Sequence, residues 1–127
     1  MKKRILIVDD QEINRDILAG ILSKSYEPVV AVNGKEAVEA LGEDGNGFAL
    51  VLLDLVMPEM DGYDVLEHLN ENGLIDEMPV IVISAEVDAE TERKCLALNV
   101  VDFIRKPFDT LAVLRRVENV SKLFPIQ

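Results

Sequence analysis

Five short apolar runs recur along the chain, at residues 5–8, 29–32, 49–53, 80–83 and 101–104, the last interrupted by Asp102. The first, third and fourth are continuous rather than alternating, which is the pattern of strands covered on both faces, as in parallel sheets. Between the runs the apolar period becomes helical. Ile13, Ile17 and Ile21 form a stripe with Leu18 and Leu22; Ala37, Val38 and Leu41 form a second, and Val65, Leu66 and Leu69 a third. Val113, Leu114, Val117 and Val120 form a last stripe, whereas residues 88–98 carry a weaker one. Gly34 opens the second helical segment, Gly45-Asn46-Gly47 precedes the third run, Asp61-Gly62 precedes the third helix, and Gly73 with Pro79 precedes the fourth run.

The resulting order is (βα)5, which predicts an α/β fold with a parallel sheet, right-handed crossovers and helices on both faces. With five strands the expected arrangement is the flavodoxin-like doubly wound sheet of strand order 2-1-3-4-5, whose crevice lies at the carboxyl ends of strands 1 and 3. A length of 127 residues and 49% hydrophobic content fit one domain. It is placed at residues 1–123, with 124–127 as a tail or the start of a linker. Cys95 is the only cysteine, which excludes an internal disulfide and a thiolate metal cluster. The basic start Met1-Lys2-Lys3-Arg4 is followed by only four apolar residues before Asp9, too few for a signal peptide or a membrane span. A cytoplasmic location is expected. Thirteen basic against twenty-four acidic residues give a net charge of -11, so a phosphate backbone would be repelled and direct nucleic-acid binding is not expected.

In this topology the residues that follow the strands meet in one crevice: Asp9 and Asp10 after strand 1, Asp54 after strand 3, Ser84 after strand 4 and Lys106 after strand 5. Taken singly, an Asp or Ser there reads as a helix cap and a Lys as solvated surface. Their joint arrival points to chemistry. Clustered carboxylates repel one another unless a cation neutralises them, and a hard divalent ion with oxygen ligands suits the set. Mg2+ is favoured because it keeps waters and shares its shell with phosphoryl oxygens. The three carboxylates are balanced by such an ion and Lys106, and a phosphoryl group added to Asp54 leaves only one net negative charge. A carboxylate is a poor nucleophile toward an anionic phosphate until metal and lysine remove that repulsion. Ser84 is placed to donate its hydroxyl to a phosphoryl oxygen.

The motifs Ile5-Leu6-Ile7-Val8-Asp9-Asp10, Val51-Leu52-Leu53-Asp54-Leu55-Val56-Met57-Pro58-Glu59-Met60-Asp61-Gly62, Val80-Ile81-Val82-Ile83-Ser84-Ala85 and Asp102-Phe103-Ile104-Arg105-Lys106-Pro107-Phe108 follow in this order. Together they resemble the receiver domain of bacterial two-component response regulators, over essentially the whole chain. The resemblance implies that Asp54 is the phosphoacceptor, supplied by a sensor histidine kinase or a phosphotransfer protein. It implies that Asp9, Asp10, Asp54 and the backbone carbonyl of Val56 hold Mg2+. Lys106 would pair with the phosphoryl group across a cis bond to Pro107, and Ser84 with Phe103 would be the coupled pair that moves on phosphorylation. Val56 and Glu86 would line the path of the hydrolytic water and set phosphoryl lifetime. Such a domain is not an enzyme beyond its own phosphorylation and dephosphorylation. Its output surface, formed by helix 4, strand 5 and helix 5, would pair two copies or dock a fused or separate output domain. The last helix resembles those of receivers that precede a cyclic-dinucleotide enzyme domain.

Two departures from the commonest pattern are visible. Phe103 replaces Tyr, so the ring gains no phenolic hydrogen bond, and Asn99-Val100 replaces Gly-Ala, with Asn tolerating a left-handed backbone. His68 reads as an exposed helix residue, Cys95 as a small, partly buried one, and Arg115-Arg116 as a solvated face. Three alternatives remain. A haloacid-dehalogenase-like phosphatase wants Asp-x-Asp after strand 1, where this chain has adjacent Asp9-Asp10. A flavodoxin wants Ser, Thr and Gly in that loop to wrap a phosphate. A phosphate-independent pseudo-receiver, acting as a binding module, would not need the complete site.

Overall fold

The sheet is built from β1 (Lys3–Val8), β2 (Tyr26–Ala31), β3 (Phe48–Leu53), β4 (Val80–Ser84) and β5 (Asp102–Arg105). The computed structural model describes residues 2–57, 60–85 and 88–123. All strand pairs are parallel and the order is β2-β1-β3-β4-β5, the doubly wound arrangement expected. Five α-helices alternate with the strands: α1 (Glu12–Leu22), α2 (Gly34–Leu41), α3 (Gly62–Glu71), α4 (Ala89–Ala97) and α5 (Thr110–Leu123).

The continuous apolar runs divide by the two-residue period of a strand into two cores. Leu6, Val8, Val51, Leu53, Val80 and Val82 face one way, onto Ala37 and Leu41 of α2, Val65, Leu66 and Leu69 of α3, and Cys95 of α4. Ile5, Ile7, Leu50, Leu52, Ile81 and Ile83 face the other way, onto Leu18 and Leu22 of α1 and Val113, Val117 and Val120 of α5. Both faces of β1, β3 and β4 are therefore buried, which is why these strands show no polar alternation.

Some expectations are corrected. β2 starts at Tyr26, three residues before its apolar run, because the buried Tyr26 pairs with Lys3 while Glu27 lies exposed and Pro28 interrupts the pattern. Proline is tolerated there since β2 is an edge strand. In α1 the expected stripe is only half core: Leu18 and Leu22 are buried, but Ile13 is 68% and Ile17 44% exposed. Cys95 is fully rather than partly buried, as the one buried residue of α4. His68 is not simply exposed: its Nε2 lies 2.7 Å from the Gly42 carbonyl at the end of α2, which requires that this nitrogen donate. Arg116 is held by Asp102 at 2.9 Å rather than freely solvated. Asn99 does adopt a left-handed backbone, φ 69°. The tail at 124–127 lies outside the described residues.

Candidate functional site

Strand register brings the carboxylates together. Val8 pairs with Leu53, and the Asp54 amide donates to the Val8 carbonyl at 2.9 Å, so Asp9 and Asp54 leave adjacent strand ends side by side. Ligand oxygens of Asp9, Asp10 and Asp54 lie within 4.8 Å of one another. Asp9 and Asp54 are buried and Asp10 is exposed, which makes a cup closed by protein beneath and open above. From the far side, β5 delivers Lys106: its amide donates to the Ser84 carbonyl at 2.9 Å, and its peptide bond to Pro107 is cis. Its Nζ sits 3.1 Å from Asp9 Oδ2 and 3.3 Å from Asp54 Oδ2.

The two buried carboxylates are held from behind. Asp9 Oδ1 accepts from the Gln11 amide at 2.9 Å, and Arg15 of α1 reaches back to the Asp9 carbonyl at 3.0 Å. Asp54 Oδ1 accepts from the Val56 amide at 3.3 Å. Gly62 makes the turn into α3 possible, because a Cβ there would fall 2.5 Å from the Asp54 carbonyl oxygen and 2.7 Å from the Leu55 Cα. Sequence reasoning marked Gly62 as helix punctuation and passed over Gln11 and Arg15. Gln11 acts here through its backbone amide and Arg15 through a contact to a backbone carbonyl, and neither leaves a compositional signal.

The electrostatics are unbalanced. Burial pushes the Asp54 carboxyl above its ordinary value; Lys106 opposes this and Asp9 adds to it. Burial alone would lower the Lys106 ammonium, but the Asp9 and Asp54 carboxylates outweigh it and hold it above its ordinary value. Asp9 Oδ2 touches Lys106 as an ion pair yet makes no hydrogen bond, and it is the one buried side-chain polar atom among the described residues in that condition. An unbonded buried carboxylate oxygen, in a cup of oxygen donors that one lysine does not neutralise, fits a hard cation. The acidic cluster can hold a metal.

Ser84 is buried at the end of β4, and Phe103 is partly buried on β5 against the core shared with α2, α3 and α4. The two lie on neighbouring strands, with Phe103 opposite Val82. Val56 stands at the rim, 72% exposed. Glu86, expected beside it, lies outside the described residues, as do Pro58 and Glu59 of the Asp54 motif. The structure thus brings Asp9, Asp10, Asp54, Ser84 and Lys106 to one end of the sheet.

The family model for the response regulator receiver domain matches residues 5–118. A two-component response regulator of Oryza sativa subsp. japonica is 36% identical over 119 residues, 93% of this chain and 88% of that protein. A probable cyclic di-GMP phosphodiesterase of Vibrio cholerae is 36% identical over 113 residues, 89% of this chain but 25% of that protein. Among solved structures, a response regulator receiver domain protein from Methanospirillum hungatei JF-1 superposes with a TM-score of 0.86 at 27% identity, covering 97% of this chain and 96% of the other. With a family model matched over most of its length and a relative 36% identical across nearly the whole of both proteins, the chain belongs to the response regulator receiver domain family.

Proposed function

We propose that the chain is a phosphorylation-driven switch in which Asp54 accepts a phosphoryl group with Mg2+ bound by Asp9, Asp10, Asp54 and the Val56 carbonyl. The observation that carries this reading is the position of Lys106 Nζ, within 3.3 Å of both Asp9 and Asp54. A cation at that point holds one Asp54 oxygen and is within reach of a phosphoryl oxygen arriving on the same carboxylate. An Asp54 oxygen forms the new bond to phosphorus while the bond from phosphorus to the donor breaks, the donor nitrogen or oxygen leaving with the electron pair. Bound Mg2+ would neutralise phosphoryl charge as it develops. The Gln11 and Val56 amides hold the Asp9 and Asp54 carboxylates and Arg15 holds the Asp9 backbone carbonyl, so little reorganisation accompanies the transfer. Ser84 then donates its hydroxyl to the new phosphoryl group, and Phe103 follows by burying its ring.

The donor would be a sensor histidine kinase or a phosphotransfer protein, and the output would pass through α4, β5 and α5 to a second copy, a fused domain or a separate partner. The Vibrio relative, whose length extends well beyond the matched part, favours a fused output for at least some members of this kind. Mass spectrometry after treatment with acetyl phosphate and Mg2+ tests the reading. An acid-labile phosphoryl group on Asp54, absent without Mg2+ and absent from Asp54→Asn, is expected. Phosphate on His68 or a serine, or label persisting in Asp54→Asn, would refute it.

A further inference from the structure

We propose that Gly34, on α2 and outside the carboxylate cluster, is a positioning residue for the metal site, acting through the loop that carries Val56. The inference rests on the phosphoacceptor reading above. The Gly34 amide donates to the Met60 carbonyl at 2.9 Å, across two segments 26 residues apart in sequence. Gly34 is buried, and a Cβ there would fall 2.7 Å from the Met60 carbonyl carbon, 2.9 Å from its Cβ and closer still to its oxygen. What stands in the way is chiefly backbone, so a side chain at this position is accommodated only by moving α2 or the loop. The other end of the loop is equally confined: the Gly62 amide donates to the Leu55 carbonyl at 3.0 Å, and Gly62 packs directly on Asp54 and Leu55. Leu55 and Met60 are thus each held by a glycine contact, one from α3 and one from α2, and Val56 lies between them in sequence.

The α2 contact is itself held in place. Asn33 caps the helix by accepting from the Glu36 amide at 2.8 Å, and the Glu36 carboxylate accepts from the Val32 amide at 3.1 Å. This fixes the first turn, on which Gly34 sits. A carbonyl ligand has no rotamer with which to compensate for a displaced backbone, whereas Asp9, Asp10 and Asp54 have side-chain freedom. Displacing the loop therefore acts on the Val56 carbonyl and the Asp54 to Val56 hydrogen bond before anything else.

The test compares full-length Gly34→Ala, which wedges the loop, with Asn33→Ala, which frays the helix turn beneath it. Glu39→Gly, on the exposed face farther along α2, weakens the helix without touching Met60. Mg2+ is titrated by 15N chemical shifts, and the amide shifts of Leu55, Val56, Met57, Met60 and Asp61 are compared without Mg2+. Gly34→Ala should weaken Mg2+ binding by about tenfold, as the loss of a supporting contact to a ligand typically does. Asn33→Ala should act in the same direction but less, Glu39→Gly should bind as wild type does, and only the first two should move the loop amides. Should Gly34→Ala not fold, Asn33→Ala against Glu39→Gly decides. A folded Gly34→Ala with wild-type affinity, or equal losses in Asn33→Ala and Glu39→Gly, overturns the inference. If wild type binds no Mg2+ at the cluster, the reading of the site fails and the positioning role falls with it, the loop shifts alone showing whether the clamp is real.

Discussion

Asp54 is placed where its charge is costly without a counter-ion. Its carboxyl is raised by burial and by the Asp9 charge against the opposing pull of Lys106, so the folded protein without metal keeps the proton to higher pH than the unfolded chain does. A group whose folded value is raised binds more protons in the native state, and stability then falls as pH rises from the ordinary 3.8 through the folded value. Asn has the same shape and does not ionise. In chelator, Asp54→Asn should therefore melt above wild type at neutral pH, and the gap should close below the ordinary carboxylate value, where Asp54 is protonated in both states. Thermal melts at the two pH values check this. A wild type more stable than the variant at neutral pH in chelator would show that Lys106 already offsets the burial of Asp54. The sequence places Asp9, Asp10, Asp54, Ser84 and Lys106 at strand ends because strand termini follow from apolar run lengths. It does not show Gln11 and Arg15 behind Asp9, because their contacts depend on how α1 leaves the sheet.

The third helix ties the elements of its layer together. Its start is a capping box between Asp61 and Asp64, its middle reaches α2 through His68, and its end reaches the α4–β5 turn through Asn70, whose side chain donates to the Leu98 carbonyl at 3.0 Å. The Asn72 side-chain amide lies 3.3 Å from His68 Nδ1, so both ring nitrogens have a partner. Losing the His68 to Gly42 bond should cost about 1 kcal/mol, the usual net worth of one such bond, where an uninvolved surface change stays within about 0.5 kcal/mol. Urea unfolding of His68→Ala checks this, and a midpoint equal to wild type would return His68 to the plain surface. Helical periodicity is a reliable guide to α3, whose Val65, Leu66 and Leu69 are all buried. It misleads for α1, where Ile13 and Ile17 extend an apolar stripe beyond the area the sheet covers, and for α4, where a single buried Cys95 stands among charged residues. β2 is under-read for the opposite reason: an edge strand with Glu27 and Pro28 carries little of the continuous apolar signal of β1, β3 and β4.

On the scale of the whole molecule, the net charge of -11 opposes self-association, so any pairing of copies needs a face that offsets it locally. The surface of α4, β5 and α5 has that character. Glu92, Arg93 and Lys94 are exposed on α4, Arg115 and Glu118 on α5, and the apolar Leu96 of α4 and Val101 before β5 are 51% and 38% exposed. Arg116 is already engaged by Asp102 within the protomer, with Nη1 2.9 and 3.1 Å from the two carboxylate oxygens. A two-fold pairing sets each cation of this face against an anion of the other copy. Exposed ion pairs contribute about 0 to 1 kcal/mol each, so such a pairing would be weak, and under the proposed switch a modest change in the Ser84 and Phe103 arrangement would be enough to tip it. The beryllofluoride-bound protein should sediment as a concentration-dependent dimer at low salt, and added salt should weaken the dimer by screening. Arg115→Glu should weaken it without disturbing the protomer, while Arg116→Glu also breaks the Asp102 contact and places like charges together. The single Arg115 variant is therefore the cleaner probe. A beryllofluoride-bound protein that stays monomeric at high concentration, with no shift in α4 or β5 amides, would place the output on a different surface.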